Sequence, residues 1–321
     1  MFGASRGSRV AGVASTSTSL SGASKLGIPS LFVIGALCMY VGAAIGVFLF
    51  DTVDPAAVAW LRGFGAALVL VLWRRPWRHR AGTGGAWTVR RAITAAAFGG
   101  ATIGMNAMFY EAIARLPLGA AVAIEFLGPI AVAAAGSRKP ADVCALLLVV
   151  AGVGAIASAQ FEGGEVGLVG IAFALGSAAL WAAYIVLGKT VADAGQGLDD
   201  MAAGFGIASV LLAVPLFGPF AVEHSDALGD RRIWVLGLGV GLLSSVVPYV
   251  LDQYVLVRVG RARFALLLAL LPATATVVGA VVLTQIPTAL EALGIVAVIA
   301  AVVVGGLPAR RDRGVADIPP P

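Results

Sequence analysis

The sequence predicts an all-α integral membrane protein, with ten transmembrane helices in two five-helix repeats of inverted topology and both termini in the cytoplasm. Three observations carry this. Of 321 residues, 60% are hydrophobic and 12% charged, with 42 glycines besides; a soluble domain has about 45–50% apolar residues with glycine included, and about 25% charged. Mean hydropathy is +0.96. Ten apolar runs follow one another, each near the roughly 20 residues that a helix needs to cross a bilayer. Finally, residues of the first half recur in the second in the same order. This composition excludes an ordinary soluble enzyme, a disordered chain and a nucleic-acid binder.

Residues 1–27 are rich in Ser, Gly, Ala and Thr, with Arg6, Arg9 and Lys25, and read as a disordered tail. The hydroxyl-rich middle lacks the continuous apolar core of a signal peptide. The runs 31–50, 56–73, 91–111, 118–136 and 141–159 form the first repeat, 28–160. The runs 167–188, 200–220, 233–257, 262–284 and 288–307 form the second, 161–308. A charged segment, 309–321, ends in three prolines and reads as a second disordered tail. The runs are continuous rather than alternating, so helices and not barrel strands satisfy the backbone in lipid. The short connections leave no room for an extramembrane catalytic domain.

Orientation follows from the basic residues. With the N-terminus inside, 18 of the 22 Lys and Arg fall on the cytoplasmic side. They include Arg74, Arg75, Arg78, Arg80, Arg90 and Arg91 in the second connection, then Arg138, Lys139, Lys189, Arg258, Arg261, Arg263, Arg310, Arg311 and Arg313. Only Arg115, Arg231 and Arg232 fall outside, and Arg62 lies within a span. This bias matches the positive-inside rule. It also accounts for the net charge of +5 without a nucleic-acid partner. Cys38 and Cys144 lie in apolar runs and read as buried small hydrophobes, with neither disulfide-framework nor metal-site spacing. His79 and His224 fall on opposite sides, so no metal site, cofactor or catalytic His pair is expected.

The internal repeat is weak at each position but ordered throughout. Gly63-Phe64-Gly65 returns as Gly204-Phe205-Gly206, and Tyr40 matches Trp181 at the same offset of 141. Arg115 matches Arg258 and Pro129 matches Pro272 at 143; Pro140 matches Pro287 at 147. Five helices per repeat is an odd number, so the second copy enters the membrane from the opposite side. Inverted repeats are a recurring architecture of secondary transporters, with the binding site near the midplane between the halves.

Several motifs carry a resemblance. Gly104-Met105-Asn106 is followed by Phe109-Tyr110, and then by Pro117-Leu118-Gly119-Ala120-Ala121-Val122-Ala123-Ile124-Glu125-Phe126-Leu127-Gly128-Pro129. A short basic loop, Ser137-Arg138-Lys139-Pro140, comes next; Trp181-Ala182-Ala183-Tyr184-Ile185 and Pro248-Tyr249-Val250-Leu251-Asp252 stand in the second half. Over residues 30–307 the chain resembles the EamA family of the drug/metabolite transporter superfamily, and within it the bacterial threonine/homoserine exporters of RhtA type. The resemblance implies export of small amino acids or related metabolites driven by an ion gradient. There are departures in the second half. Leu271 precedes Pro272 where the family usually has an acid, Thr284-Gln285 replaces a usual Gly-Glu, and the acid of the eighth span is Asp252 rather than Glu.

Ionisable residues inside spans are costly and mark function by default. Glu125 lies mid-span among Val122, Ala123, Ile124 and Phe126; it reads as a proton site or amine ligand, or as a structural partner of Arg62. Pro129 has no N–H for the carbonyl of Glu125 and should kink the fourth helix there. Pro272 should do the same at Leu268. Arg62 should point into the bundle, where its planar fork suits a carboxylate, either of a substrate or of Glu125 or Asp252. Pro248, Tyr249 and Asp252 share a helix face, as do Asn106 and Tyr110. Asp252 reads as a cavity residue or a partner of Arg258. Asn106 and Tyr110 could bind a polar ligand or join helices. Trp181 and Tyr184 could line a cavity, cover an ammonium group or simply pack. Glu111 and Arg115 read as a surface pair.

The G-x-x-x-G spacings Gly42–Gly46, Gly100–Gly104 and Gly237–Gly241 fit close helix packing and leave an oligomer open. The expected function is proton-coupled export of a small-molecule substrate, an amino acid or metabolite, from a midplane cavity; the alternative is efflux of drugs or other metabolites by the same fold.

Overall fold

The computed structural model describes residues 27–74, 88–136, 140–161, 165–193 and 197–306, and these contain no strand. The helices are α1 (Ile28–Leu49), α2 (Pro55–Arg74), α3 (Val89–Ile113), α4 (Leu118–Glu125), α5 (Leu127–Gly136), α6 (Pro140–Phe161), α7 (Glu165–Asp193), α8 (Gly197–Leu211), α9 (Ala213–Glu223), α10 (Arg231–Gly241), α11 (Val247–Leu268), α12 (Leu270–Val282) and α13 (Ala289–Gly306). A 3₁₀ turn, Ser225–Gly229, precedes α10, and a π-helical segment, Leu242–Val246, joins α10 to α11. Local chemistry sets several starts. Thr88 and Asp230 cap α3 and α10 by accepting from Arg91 N (3.2 Å) and Arg232 N (2.8 Å). Thr288 and Glu291 form a reciprocal capping box on α13.

This is a multi-pass membrane protein. Among the described residues, eight helices are long and apolar enough to cross a bilayer, or nine when the bent pair Asp199–Leu211 and Ala213–Glu223 counts as one span. The stretch Leu266–Val282 is a shorter apolar helix. The ten runs therefore do not all become uninterrupted helices, and proline is the reason. Glu125, Leu211 and Leu268 are the last residues of α4, α8 and α11. Each is four residues before a proline (Pro129, Pro215 and Pro272), so each carbonyl has lost its helical donor. The breaks at Pro129 and Pro272 fall where the sequence places kinks. The one at Pro215, where the axis bends by 42°, obeys the same rule.

Asp252 and Leu268 line one cavity, although about 16 residues of straight helix would part them by about 24 Å. The course of α11 between them is therefore not a straight one. This lets α1 touch α10, α11 and α12 together, with Gly35 against Leu251 and Phe32 edge-on to Phe264 at 5.6 Å. The halves interleave: α1 packs on α10–α12, α7 packs on α3–α5, and the pairs α2·α8, α4·α12 and α6·α13 close the bundle. Where α3 crosses α8 the backbones touch. A Cβ on Gly99 would lie 2.2 Å from Gly204 O, and one on Gly204 2.2 Å from Ala95 O. Of the G-x-x-x-G pairs, Gly42–Gly46 and Gly237–Gly241 sit at such contacts, whereas Gly100 faces open space.

Large apolar side chains such as Val143, Leu147, Val214 and Val281 point outward, as suits a lipid-facing surface. Cys144 is exposed among them on α6 and Cys38 is half-buried, both as free thiols. This corrects the expectation of buried cysteines: in a bilayer the outer face is as apolar as the core, so an apolar run does not encode burial. The pair Glu111–Arg115 forms at 2.6 Å, as its spacing predicts. Two further ion pairs, Arg74–Asp199 (2.9 Å) and Arg91–Asp200 (2.6 Å), tie α2 and α3 to α8. The expected tails, His79, Arg75, Arg78, Arg80, Arg138, Lys139, Arg310, Arg311 and Arg313, and the side chains of Arg261 and Arg263, lie outside the described residues.

Candidate functional site

Arg62 sits inside α2 with only 8% of its surface exposed. Its Nε–H donates to Ser245 Oγ at 3.1 Å and its Nη2–H to the carbonyl of Ser244 at 3.0 Å. No ion pair within 4 Å joins it to Glu125 or Asp252 among the described residues, so the internal pairs considered from sequence do not form. The Ser244 carbonyl is available because Pro248, four residues on, has no N–H to give it. The π-helical turn lies directly before this proline, and π-bulges often mark functional sites.

Two adjoining cavities meet at Arg62. The larger, about 220 Å³, is lined by Thr102, Met201, Phe205, Tyr184 and Tyr249 among others. The smaller, about 170 Å³, is lined by Tyr40, Phe109, Glu125, Asp252, Leu268 and Leu271 among others. Arg62, Met105, Asn106 and Trp181 belong to both and form the partition. Five of the eight residues expected to bind substrate or protons thus line the smaller cavity together: Arg62, Asn106, Glu125, Trp181 and Asp252; Tyr184 lines only the larger. Tyr249 also lines the larger cavity, opposite Asp252 in the smaller, so their shared helix face is split between the two. Tyr110 lines neither. It is fully buried, its ring 5.7 Å from the Arg62 guanidinium and pressed against Gly46, and its hydroxyl has no hydrogen-bond partner.

Glu125 ends α4 beside its own freed carbonyl. Ser177 Oγ bonds Glu125 Oε1 and also reaches Met105 O at 3.0 Å. One hydroxyl proton can serve only one of these acceptors at a time. Asp252 is half-buried and makes no hydrogen bond or ion pair among the described residues; Arg258 instead donates to Tyr254 O at 3.3 Å. The Asn106 amide, buried at the partition, is likewise unpartnered. Trp181 stands edge-on to Phe126 at 5.1 Å, and Tyr184 stacks on Phe98 at 4.9 Å. Of the prolines, Pro129 lines a separate apolar cavity of about 200 Å³, while Pro248 and Pro272 are buried at the helix breaks.

Sequence reading missed Tyr40, Ser177, Ser244 and Ser245, which carry no charge to draw attention. It also missed Glu291, a buried acid whose role is structural: it accepts from Thr288 N at 2.7 Å and from Gln160 Nε2 at 2.5 Å. Its signature, Thr288-x-x-Glu291, was available in the sequence. No cluster of metal-ligating side chains occurs among the described residues.

Comparisons with known proteins point one way. A family model described as the EamA-like transporter family matches residues 168–305. The threonine/homoserine exporter RhtA of Salmonella typhimurium (strain LT2) is 36% identical over 271 residues, covering 84% of this chain and 88% of that protein. The threonine/homoserine exporter RhtA of Escherichia coli (strain K12) is 34% identical over 277 residues, covering 86% and 90%. A solved crystal structure covers 88% of this chain and 98% of its own, with a TM-score of 0.54 at 18% identity, a likeness of fold.

Proposed function

The chain belongs to the EamA-like transporter family of the drug/metabolite transporter superfamily, and from that premise we propose that it exports threonine- or homoserine-like amino acids across the bacterial inner membrane. The observation that carries this reading is the charge arrangement of the smaller cavity. Arg62, Glu125 and Asp252 line it together without pairing, so both signs of charge are available to a zwitterion. Arg62 takes the substrate carboxylate, and Asp252 or Glu125 the ammonium, with Trp181 and Asn106 between them.

Glu125 couples export to protons in this reading. Charged, it accepts from Ser177; protonated, it donates to Ser177 Oγ, which turns its own proton to Met105 O. The two acceptors within reach of one hydroxyl support both states without a stranded polar group. Proton and substrate exclude each other at the acid, which is what antiport requires.

The reading includes ten crossings in two inverted five-helix repeats, 28–160 and 161–308, with both ends in the cytoplasm. The reciprocal packing of α1 on α10–α12 and α7 on α3–α5, and breaks before both Pro129 and Pro272, support it. The two halves then rock about the central cavities to expose them alternately.

The test is uptake of labelled threonine by inside-out vesicles under an imposed pH gradient. The parent accumulates threonine, and Glu125→Gln loses gradient-driven accumulation while retaining threonine–threonine exchange. A Glu125→Gln variant that accumulates as well as the parent removes Glu125 from the coupling step.

A further inference from the structure

We propose that Ser245 is a positioning residue: with the Ser244 carbonyl it fixes the rotation of the Arg62 guanidinium, and through it the second half of the chain sets the preference for a substrate bearing a carboxylate. This rests on Arg62 being the carboxylate ligand. A guanidinium carries five N–H donors in a fixed planar fork. Ser245 Oγ takes Nε–H at 3.1 Å and Ser244 O takes one Nη2–H at 3.0 Å, so the side edge of the fork is filled. The end edge, formed by Nη1 and the second Nη2–H, makes no hydrogen bond of good geometry among the described residues, with the Tyr110 hydroxyl close to the guanidinium. Carboxylates bind a guanidinium best by two parallel bonds to one edge, and the end edge is the one left open.

Three elements hold this arrangement. Arg62 is carried by α2, lines both cavities and lies 5.7 Å from the Tyr110 ring. The segment Leu242–Val246 supplies both acceptors, because Pro248 withholds the helical N–H from Ser244 O. That segment is braced in turn by α1: Ser244 Oγ donates to Met39 O at 3.0 Å, and it sits so close to Gly42 that a Cβ there would lie 2.2 Å from it. Both acceptors are neutral, so the full charge of Arg62 stays available to an incoming anion. An acid in place of Ser245 would satisfy the fork and cancel that charge.

The experiment compares threonine with threoninol, which has an alcohol in place of the carboxylate, as competitors of labelled-threonine uptake. The parent prefers threonine by roughly 100-fold. Ser245→Ala raises the half-saturating threonine concentration roughly tenfold, as expected for a lost bond to a charged group. It leaves the maximal rate within about twofold and shrinks the threonine-to-threoninol ratio; Ser245→Thr, which keeps the hydroxyl, restores the ratio. A Ser245→Ala protein that melts like the parent but changes only the maximal rate, or leaves the ratio intact, overturns the proposal. Arg62→Gln separates the two levels. If it too leaves the ratio intact, Arg62 does not read the carboxylate and both ideas fall. If it abolishes the ratio while Ser245→Ala does not, only the role of Ser245 falls.

Discussion

Helices α2 and α3 of the first half run unbroken through Pro55–Arg74 and Val89–Ile113 and carry Arg62 and Asn106 to the cavities. Two stretches of the second half are interrupted: α8 and α9 bend by 42° at Leu212, and α10 passes into α11 through a π-helical turn. At Arg62, α2 supplies a charged side chain and the α10–α11 junction a backbone acceptor, Ser244 O, left without a helical donor by Pro248. A site can therefore be built by adding a charged side chain to one helix or by removing a donor from another, and here the two means meet at one residue.

Four substitutions test that division, in decreasing order of effect. The two styles of helix meet where α3 crosses α8, and Gly204→Ala places a Cβ 2.2 Å from Ala95 O. The expected cost is about 3 kcal/mol, seen as loss of monodisperse protein in detergent, while Gly100→Ala, facing open space, leaves the yield unchanged. Pro215→Ala returns a donor to Leu211 and makes α8–α9 resemble α2. It should gain about 1–3 kcal/mol of stability, slow export, and shorten the bend measured by spin-label distances; unchanged export would mean the bend is not needed for transport. Asp252→Asn removes the second half's own cavity charge and should weaken threonine binding roughly tenfold, by competition for labelled-threonine uptake. An equal loss of threoninol binding would confirm an ammonium contact. Thr284 holds a left-handed φ of 58° with a β-branched side chain, so Thr284→Gly should raise stability by about 1 kcal/mol, a shift of a few degrees in thermal melting.

The sequence was most legible where residue chemistry is extreme. Arg62, Glu125 and Asp252 stand out in apolar runs, and they do line one cavity. Pro129 and Pro272 announce their breaks by removing a donor. Pro215 carries the same information, yet without a polar neighbour like Glu125 it drew no attention. The partners of Arg62 were not legible at all, because one is a backbone carbonyl and the other a serine among many. Nor was the outward position of Cys144, since hydrocarbon outside and hydrocarbon inside leave the same pattern of letters. The Thr284-Gln285 departure becomes intelligible only in three dimensions. Thr284 adopts a backbone conformation that glycine favours, and Gln285 Oε1 accepts from Leu118 N at 2.9 Å at the start of α4.

The link between Pro248 and Arg62 has an evolutionary consequence. A proline at 248 without an arginine at 62 leaves the Ser244 carbonyl bare inside a bilayer. An arginine at 62 without that proline must share the same carbonyl with a helical N–H. Neither single replacement is a neutral step, so among descendants of this chain the two positions should covary, lost together or kept together, although they lie on different helices and far apart in sequence.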